Sequence, residues 1–358
     1  MTAREQLAQF AAGSKALPRL CREYKKERAT VHLKELVGGA LSFYAAAAAA
    51  KTGGVHVFVA EDRDAAAYLM NDFYNLLDEK QVYFFPSSYK RSVAYGAEDA
   101  QGVVQRTAAM NAVKGFTKGY LIVCTYPEAL AERVADAETL RRDTIAVKVG
   151  DSISIAVLED ALVDANFTRV DFVYEPGQYS VRGGIVDVFS FSESKPYRID
   201  FFGDEVETIR TFDVETQLSK EKLDRLYIVP EMSKDAKDST SLLGSLPRNT
   251  FIAARDLAWC KERIGSVWND DPVVADEESF ADIDQMRKKL VRGEDFLREV
   301  LDFRRIHFGA RPMGTADATI HFSTQTQPIY HKNFDRVSES FHKYLDEGYT
   351  LYILSDQE

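Results

Sequence analysis

Cysteine is scarce: Cys21, Cys124 and Cys260 are the only three in 358 residues. An odd number at wide spacing supports neither a disulfide framework nor a zinc cluster, and predicts free thiols in a reducing, cytoplasmic setting. Basic charge is in deficit too. Lys and Arg number 45 against 56 Asp and Glu, a formal net charge of -11, which excludes a chain whose whole surface grips nucleic acid and leaves room for a local basic patch. Long apolar runs are missing. The longest uncharged stretch, Leu36 to Ala50, is alanine-rich and shorter than the roughly 20 residues of a membrane-crossing helix. Arg4 and Glu5 interrupt the N-terminus, so neither a signal peptide nor a membrane partner is expected.

Catalytic signatures are absent as well. The histidines, His32, His56, His307, His321, His331 and His342, contain no H-x-x-x-H or H-E-x-x-H spacing, and no G-x-S-x-G elbow occurs. Carboxylates crowd the sequence, but at this composition their abundance says little about acid–base chemistry. Gly38-Gly39 precedes a helix, a place where phosphates are commonly held. A phosphate loop of the form G-x-x-x-x-G-K-[ST] would then need Gly-Lys-Ser/Thr where this chain has Phe43, Tyr44 and Ala45, or Tyr44, Ala45 and Ala46. Lys51-Thr52 falls at the far end of the helix, and Leu121 to Tyr126 lacks the acidic pair of a Walker B strand. These residues predict no catalytic, cofactor-binding or metal-binding site.

What is there reads as several domains, because the length exceeds one ordinary core. Residues 1–30 suggest two short helices split near Pro18, a charged segment expected to pack on a later α/β part. Across 31–142 strands alternate with helices, with Val55 to Ala60, Val82 to Phe85 and Leu121 to Cys124 as strands and Thr125 capping a helix that begins Pro127-Glu128. That alternation predicts a parallel sheet covered on both faces. Residues 143–231 carry a helix, Ile153 to Asn166, followed by strands from Val170 to Tyr174 onward and closed by Leu226 to Val229. This is an α+β module with a mostly antiparallel sheet. Residues 232–325 return to α/β, with strands Thr250 to Ala254 and Ala318 to Phe322, a helix Leu257 to Val267, an acidic turn Asn269 to Glu278 and a charged helical stretch Phe280 to Phe303. Residues 326–358 begin a further segment, a helix Phe334 to Leu345 and a strand Tyr349 to Leu354, and that ending predicts a piece of a longer protein.

The most legible stretch is Glu175 to Gln217. Period-two alternation predicts three strands: Tyr179 to Phe189, bulged at Gly183-Gly184; Tyr197 to Phe202; and Glu205 to Phe212 after the Gly203-Asp204 turn. On the second strand Tyr197, Ile199 and Phe201 suit a core, which leaves Arg198, Asp200 and Phe202 on the other face. Arg182, just before the glycine pair, is expected to share that side. Arginine beside an aromatic ring is the chemistry of interface hot spots. An ordinary salt-bridged sheet surface would read the same way.

The sequence EPGQYSVRGGIVDVF, followed by PYRIDFFGDEVETIRTFDVETQ, resembles the bacterial transcription-repair coupling factor family (Mfd), in the region that family shares with the excision-repair protein UvrB. The cores E-P-G-Q-[YF]-x-V-R-G-G-I-[VL]-D-[VI]-F and R-[IL]-[DE]-F-F-G-[DE]-E-[VI]-E fall in the family's order and spacing. Phe85-Pro-Ser near Tyr95-Gly96, and Leu121-Ile-Val-Cys-Thr, fit a degenerate helicase-like, P-loop-type α/β domain without the lysine that UvrB keeps. The resemblance implies a UvrB-like module in which a small antiparallel domain docks on UvrA through Arg182, Arg198 and Phe202, with no cofactor in this fragment. It also implies that ATP and Mg²⁺ chemistry, double-stranded DNA translocation, RNA polymerase binding and a C-terminal masking domain belong to parts of the family protein outside this chain. The competing expectation is a UvrB-like, nucleotide-dependent DNA-damage enzyme.

Overall fold

A computed structural model describes residues 3–89, 99–135, 144–191, 193, 195–230, 239–269, 287–324, 328–331 and 333–351. The helices Ala3–Gly13 and Ala16–Tyr24 open the chain and part at Ser14, whose hydroxyl accepts from the Leu17 amide at 3.1 Å. The break is therefore not at Pro18. Proline sits in the first turn of the second helix, where a missing amide costs no intrahelical bond. Strands β1 (Thr30–Lys34), β2 (Gly54–Val59), β3 (Val82–Phe85) and β4 (Tyr120–Thr125) then alternate with the helices Gly39–Thr52, Arg63–Leu76 and Ala100–Gly115. Next come β5 (Val134–Ala135), β6 (Ile145–Lys148), the helix Ile155–Asp164, β7 (Thr168–Arg169), β8 (Gln178–Arg182), β9 (Ile185–Val188), β10 (Tyr197–Phe202), β11 (Glu205–Phe212), β12 (Ser219–Leu223), β13 (Arg225–Ile228) and β14 (Ser239–Thr240). The chain returns to mixed α/β with β15 (Phe251–Ala254), the helices Leu257–Asn269 and Gly293–Val300, β16 (Arg304–His307), β17 (Ala318–His321) and the helix Phe334–Asp346.

Among the described residues the larger sheet is parallel throughout, in the order β17-β1-β16-β15-β2-β4-β3. Residues 251–321 thus add three strands to the sheet begun by residues 30–125. The central strands are almost wholly apolar because helices cover both faces. Ala45 to Ala49 are all buried, since the helix Gly39–Thr52 is enclosed by the sheet, the two N-terminal helices and the helix Arg63–Leu76. Thr125 is not the helix cap expected of it. It ends β4 and donates its hydroxyl to Phe85 O at 2.8 Å, and Tyr126 takes the cap position of the helix Pro127–Leu130.

Two buried histidines in this sheet set a pH dependence. Burial holds the His56 imidazole down to about 4, against its one bond to Gly53 O, and burial beside Arg305 and His32 holds that of His307 down to about 4. Both stay neutral in the folded chain while the unfolded chain takes up protons below 6.5. Their contribution is complete above that value and is lost as pH falls toward 4. Thermal melts across this window should show a falling melting temperature, and His307→Leu should make the fall shallower. An unchanged slope in the variant would remove His307 as a cause.

The second sheet is antiparallel apart from the β7–β8 pair, in the order β12-β11-β10-β9-β8-β7. The stretch from Tyr179 to Phe189 is not one bulged strand. β8 and β9 pair antiparallel with Arg182 opposite Ile185, so Gly183-Gly184 is a two-residue hairpin turn. Gly183 takes φ +60°, and a Cβ on Gly184 would lie 3.0 Å from Phe201 O, so both positions favour glycine. Val170 to Tyr174 forms no strand: β7 stops at Arg169, and the following residues carry the fully buried Val173 against Phe189 and Phe212. Leu158 and Leu162 of the helix Ile155–Asp164 close the core over Val186, Ile199 and Ile209, and Val103 of the helix Ala100–Gly115 joins it. β13 pairs with β6 as a separate ribbon.

Tyr95-Gly96 and all but the first residue of the acidic turn lie outside the described residues. The described part of the Phe280 to Phe303 stretch is interrupted at Leu290, which bridges to Glu132, before the helix Gly293–Val300. Residues 349–351 form no strand, and the rest of that expected element is undescribed. No helix among the described residues is long and apolar enough to cross a membrane.

Candidate protein-docking face

The polar face of the antiparallel sheet follows from strand register. Ser180, Asp187, Arg198, Arg210 and Lys222 stand opposite one another across five strands, and Arg182, Ile185, Asp200 and Thr208 form the next row. Because side chains alternate, Val181, Val186, Ile199 and Ile209 point the other way. The β10–β11 register slips between Asp200 and Phe201, leaving Glu207 as the extra residue on β11. This bulge therefore lies on β11, opposite the Asp200–Phe201 step, rather than at the glycine pair.

Asp187 is the electrostatic centre of this face, with only 1% of its side chain exposed. Arg198 meets it as a fork, Nε donating to Oδ1 at 2.7 Å and Nη2 to Oδ2 at 2.8 Å. Arg182 Nη2 donates to the same Oδ2. Arg198 also donates to Gln217 O at 3.1 Å and lies 4.5 Å over the Phe212 ring. Its hydrogen bonds to Asp187 raise its pKa above the ordinary arginine value, outweighing desolvation. Beyond this cluster Asp200 accepts from Arg210 and Thr208. Arg182 lies 4.9 Å over Phe172 and donates weakly to Asp171 O at 3.4 Å.

The structure brings Arg182 and Arg198 onto one carboxylate. Phe202 shares their face but stands four residues, about 13 Å, beyond Arg198 along β10. Its ring is 79% exposed. Asp200 is a paired member of the face, whereas Asp204, Glu205 and Glu207 are exposed at its rim. Sequence reasoning missed Asp187 and Phe172. The first carried a signal, an ionisable residue inside the β-branched run Ile185–Val188, which is buried only when paired. The second had none, because its segment reads as a strand.

A second concavity lies where the parallel strands end, a cleft of about 1160 Å³ lined by residues that include Lys34, Glu61, Glu128, Arg255 and Arg263. Two ion pairs lie along it, Arg255 with Glu61 at 2.7 Å and Arg263 with Glu128. At the start of the helix Gly39–Thr52, Tyr44 packs edge-on against Phe10 at 4.7 Å and Phe322 at 4.6 Å, and Phe43 against Phe10 at 5.7 Å. Where a phosphate loop would carry its lysine and hydroxyl, this chain has two partly buried aromatic rings packed on the core.

The polar sheet face lies within a segment that matches a known family. Residues 145–233 match the UvrB interaction domain. The chain is similar to proteins called transcription-repair-coupling factor: 29% identical to that of Escherichia coli (strain K12) over 227 residues, 63% of this chain and 19% of that protein. Against the Bacillus subtilis (strain 168) protein the identity is 28% over 199 residues, 55% of this chain and 17% of the relative. Against the Haemophilus influenzae protein it is 30% over 128 residues, 36% and 11%. The matched region thus spans less than a fifth of each relative. Within the UvrB interaction domain, the Asp187 cluster and Phe202 sit on the sheet face turned away from the domain core.

Proposed function

We propose that the chain is the UvrB-homology module of a transcription-repair coupling factor, and that its UvrB interaction domain docks on UvrA to recruit it to stalled RNA polymerase. The observation that carries this reading is the polar sheet face: a largely exposed phenylalanine on the same face as two guanidiniums pinned on a buried carboxylate, inside the matching segment. A ring left in water on a sheet gains apolar burial when a partner covers it, and pinned arginines lose little side-chain entropy on docking. The larger α/β part is then a degenerate helicase-like scaffold without ATPase activity, a reading supported by the aromatic packing of Phe43 and Tyr44 where a phosphate loop needs Gly-Lys-Ser/Thr. Translocation on double-stranded DNA with ATP and Mg²⁺, polymerase binding and C-terminal masking of the docking face belong, on this reading, to the rest of a longer cytoplasmic protein.

Calorimetric titration of the purified chain with UvrA is expected to give saturable binding, and titration with ATP and Mg²⁺ to give no saturable heat. Saturable nucleotide binding without UvrA binding would favour the alternative, a UvrB-like nucleotide-dependent DNA-damage enzyme.

A further inference from the structure

The two arginines of the docking face are not equivalent. Asp187 supplies one negative charge to two guanidiniums, so the cluster keeps a net positive charge that its own contacts cannot remove. Arg198 meets the carboxylate through two nitrogens, is braced by Gln217 O and the Phe212 ring, and has a side chain 14% exposed. Arg182 meets it through one nitrogen and is 35% exposed, with the half-exposed Phe172 ring beside it. Of the five N–H donors of a guanidinium, Arg182 uses one on Asp187 and one, weakly, on Asp171 O. The neighbouring Arg210 is already closed on Asp200.

Building on the docking of this face on UvrA, we propose that Asp187 is its positioning residue, with Arg198 as the fixed counter-ion and Arg182 as the surplus cation held out to a carboxylate on an acidic patch of UvrA. The fork geometry makes Arg198 the partner that neutralises the buried charge. A guanidinium held on its carboxylate by one nitrogen, weakly on a carbonyl by another and flanked by a ring keeps free donors while its rotamer is already restricted, so the ordering cost of docking is met before the partner arrives. Phe172 thereby belongs to the surface as the ring that sets the plane of Arg182.

The test is a double-mutant cycle in the whole chain, with UvrA affinity and melting temperature read for each variant. Arg182→Ala is expected to weaken binding about tenfold at unchanged melting temperature and to flatten its salt dependence, because the surplus charge is gone. Asp187→Asn is expected to weaken binding comparably. In the double variant the loss should stay within about twofold of Arg182→Ala alone, since Asp187 acts through Arg182. Losses that multiply in the double variant, or wild-type affinity in Asp187→Asn, would overturn the assignment. Arg198→Lys gives an independent arm: it keeps the charge but not the fork, so its melting temperature should fall while the salt slope stays. A flattened slope at unchanged melting temperature there would reverse the proposed roles. Failure of the unaltered chain to bind UvrA would instead overturn the docking reading itself.

Discussion

Phe202→Ala is expected to weaken UvrA binding by about 2–4 kcal/mol, roughly 30- to 1,000-fold, while leaving the fold intact. The ring is 79% exposed, so its removal opens no cavity in the free chain. Its neighbours on β10 explain why it is held in place: Phe201 points into the core and β11 pairs with both residues, so the backbone that presents Phe202 is held by core packing and by one neighbouring strand. The loss should appear mainly as faster dissociation, because the ring contributes area rather than long-range steering. Affinity within twofold of the unaltered chain, measured by calorimetry or by a kinetic binding assay, would remove Phe202 from the docking face.

The largest effect on stability is expected at Glu132, which has no contact with the residues of that face among those described. Its carboxylate is buried and accepts from the Ser88 amide at 3.1 Å, from both the Ser87 and Ser88 hydroxyls, and stands 3.6 Å from Arg106. Arg106 is buried too. It donates to Pro86 O at 2.7 Å and Ala129 O at 3.0 Å, and lies 4.1 Å over the Phe85 ring. Burial lowers its pKa, and Glu132 is the first influence opposing that shift. Glu132→Ala leaves a buried guanidinium without a carboxylate, the Ser88 amide and hydroxyl without their acceptor, and the Ser87 hydroxyl with only Tyr89 O at 3.3 Å, a cost of about 3–5 kcal/mol. Against a typical domain stability of roughly 5–15 kcal/mol this is a large share. Urea denaturation should show the midpoint falling sharply. A loss below about 1 kcal/mol would mean that water replaces the carboxylate and that the pair is not structural.

Much of the fold was legible because its signals are local. Gly203 and the alternation around it locate β10 and β11, and the face carrying Arg198, Asp200 and Phe202 follows from a period of two. The glycine pair at 183–184 was legible as punctuation and misread in kind, since a bulge and a two-residue hairpin turn place the same residues in the same order. The distinction lies in whether the strand after the turn runs on or doubles back, which the antiparallel pairing of β9 with β8 decides.

Sequence alone determined the absence of a phosphate-loop lysine, the alternation that makes one sheet parallel and the other mostly antiparallel, and the polar sheet face that carries Arg198, Asp200 and Phe202, because each is written within a few neighbouring residues. Tertiary structure decided what depends on partners distant along the chain: that 251–321 completes the sheet begun at Thr30, that Glu132 and Arg106 bury each other's charge, and that Asp187 gathers Arg182 and Arg198. A charge can be buried only where its counter-charge arrives, and strand register rather than local pattern determines where that is.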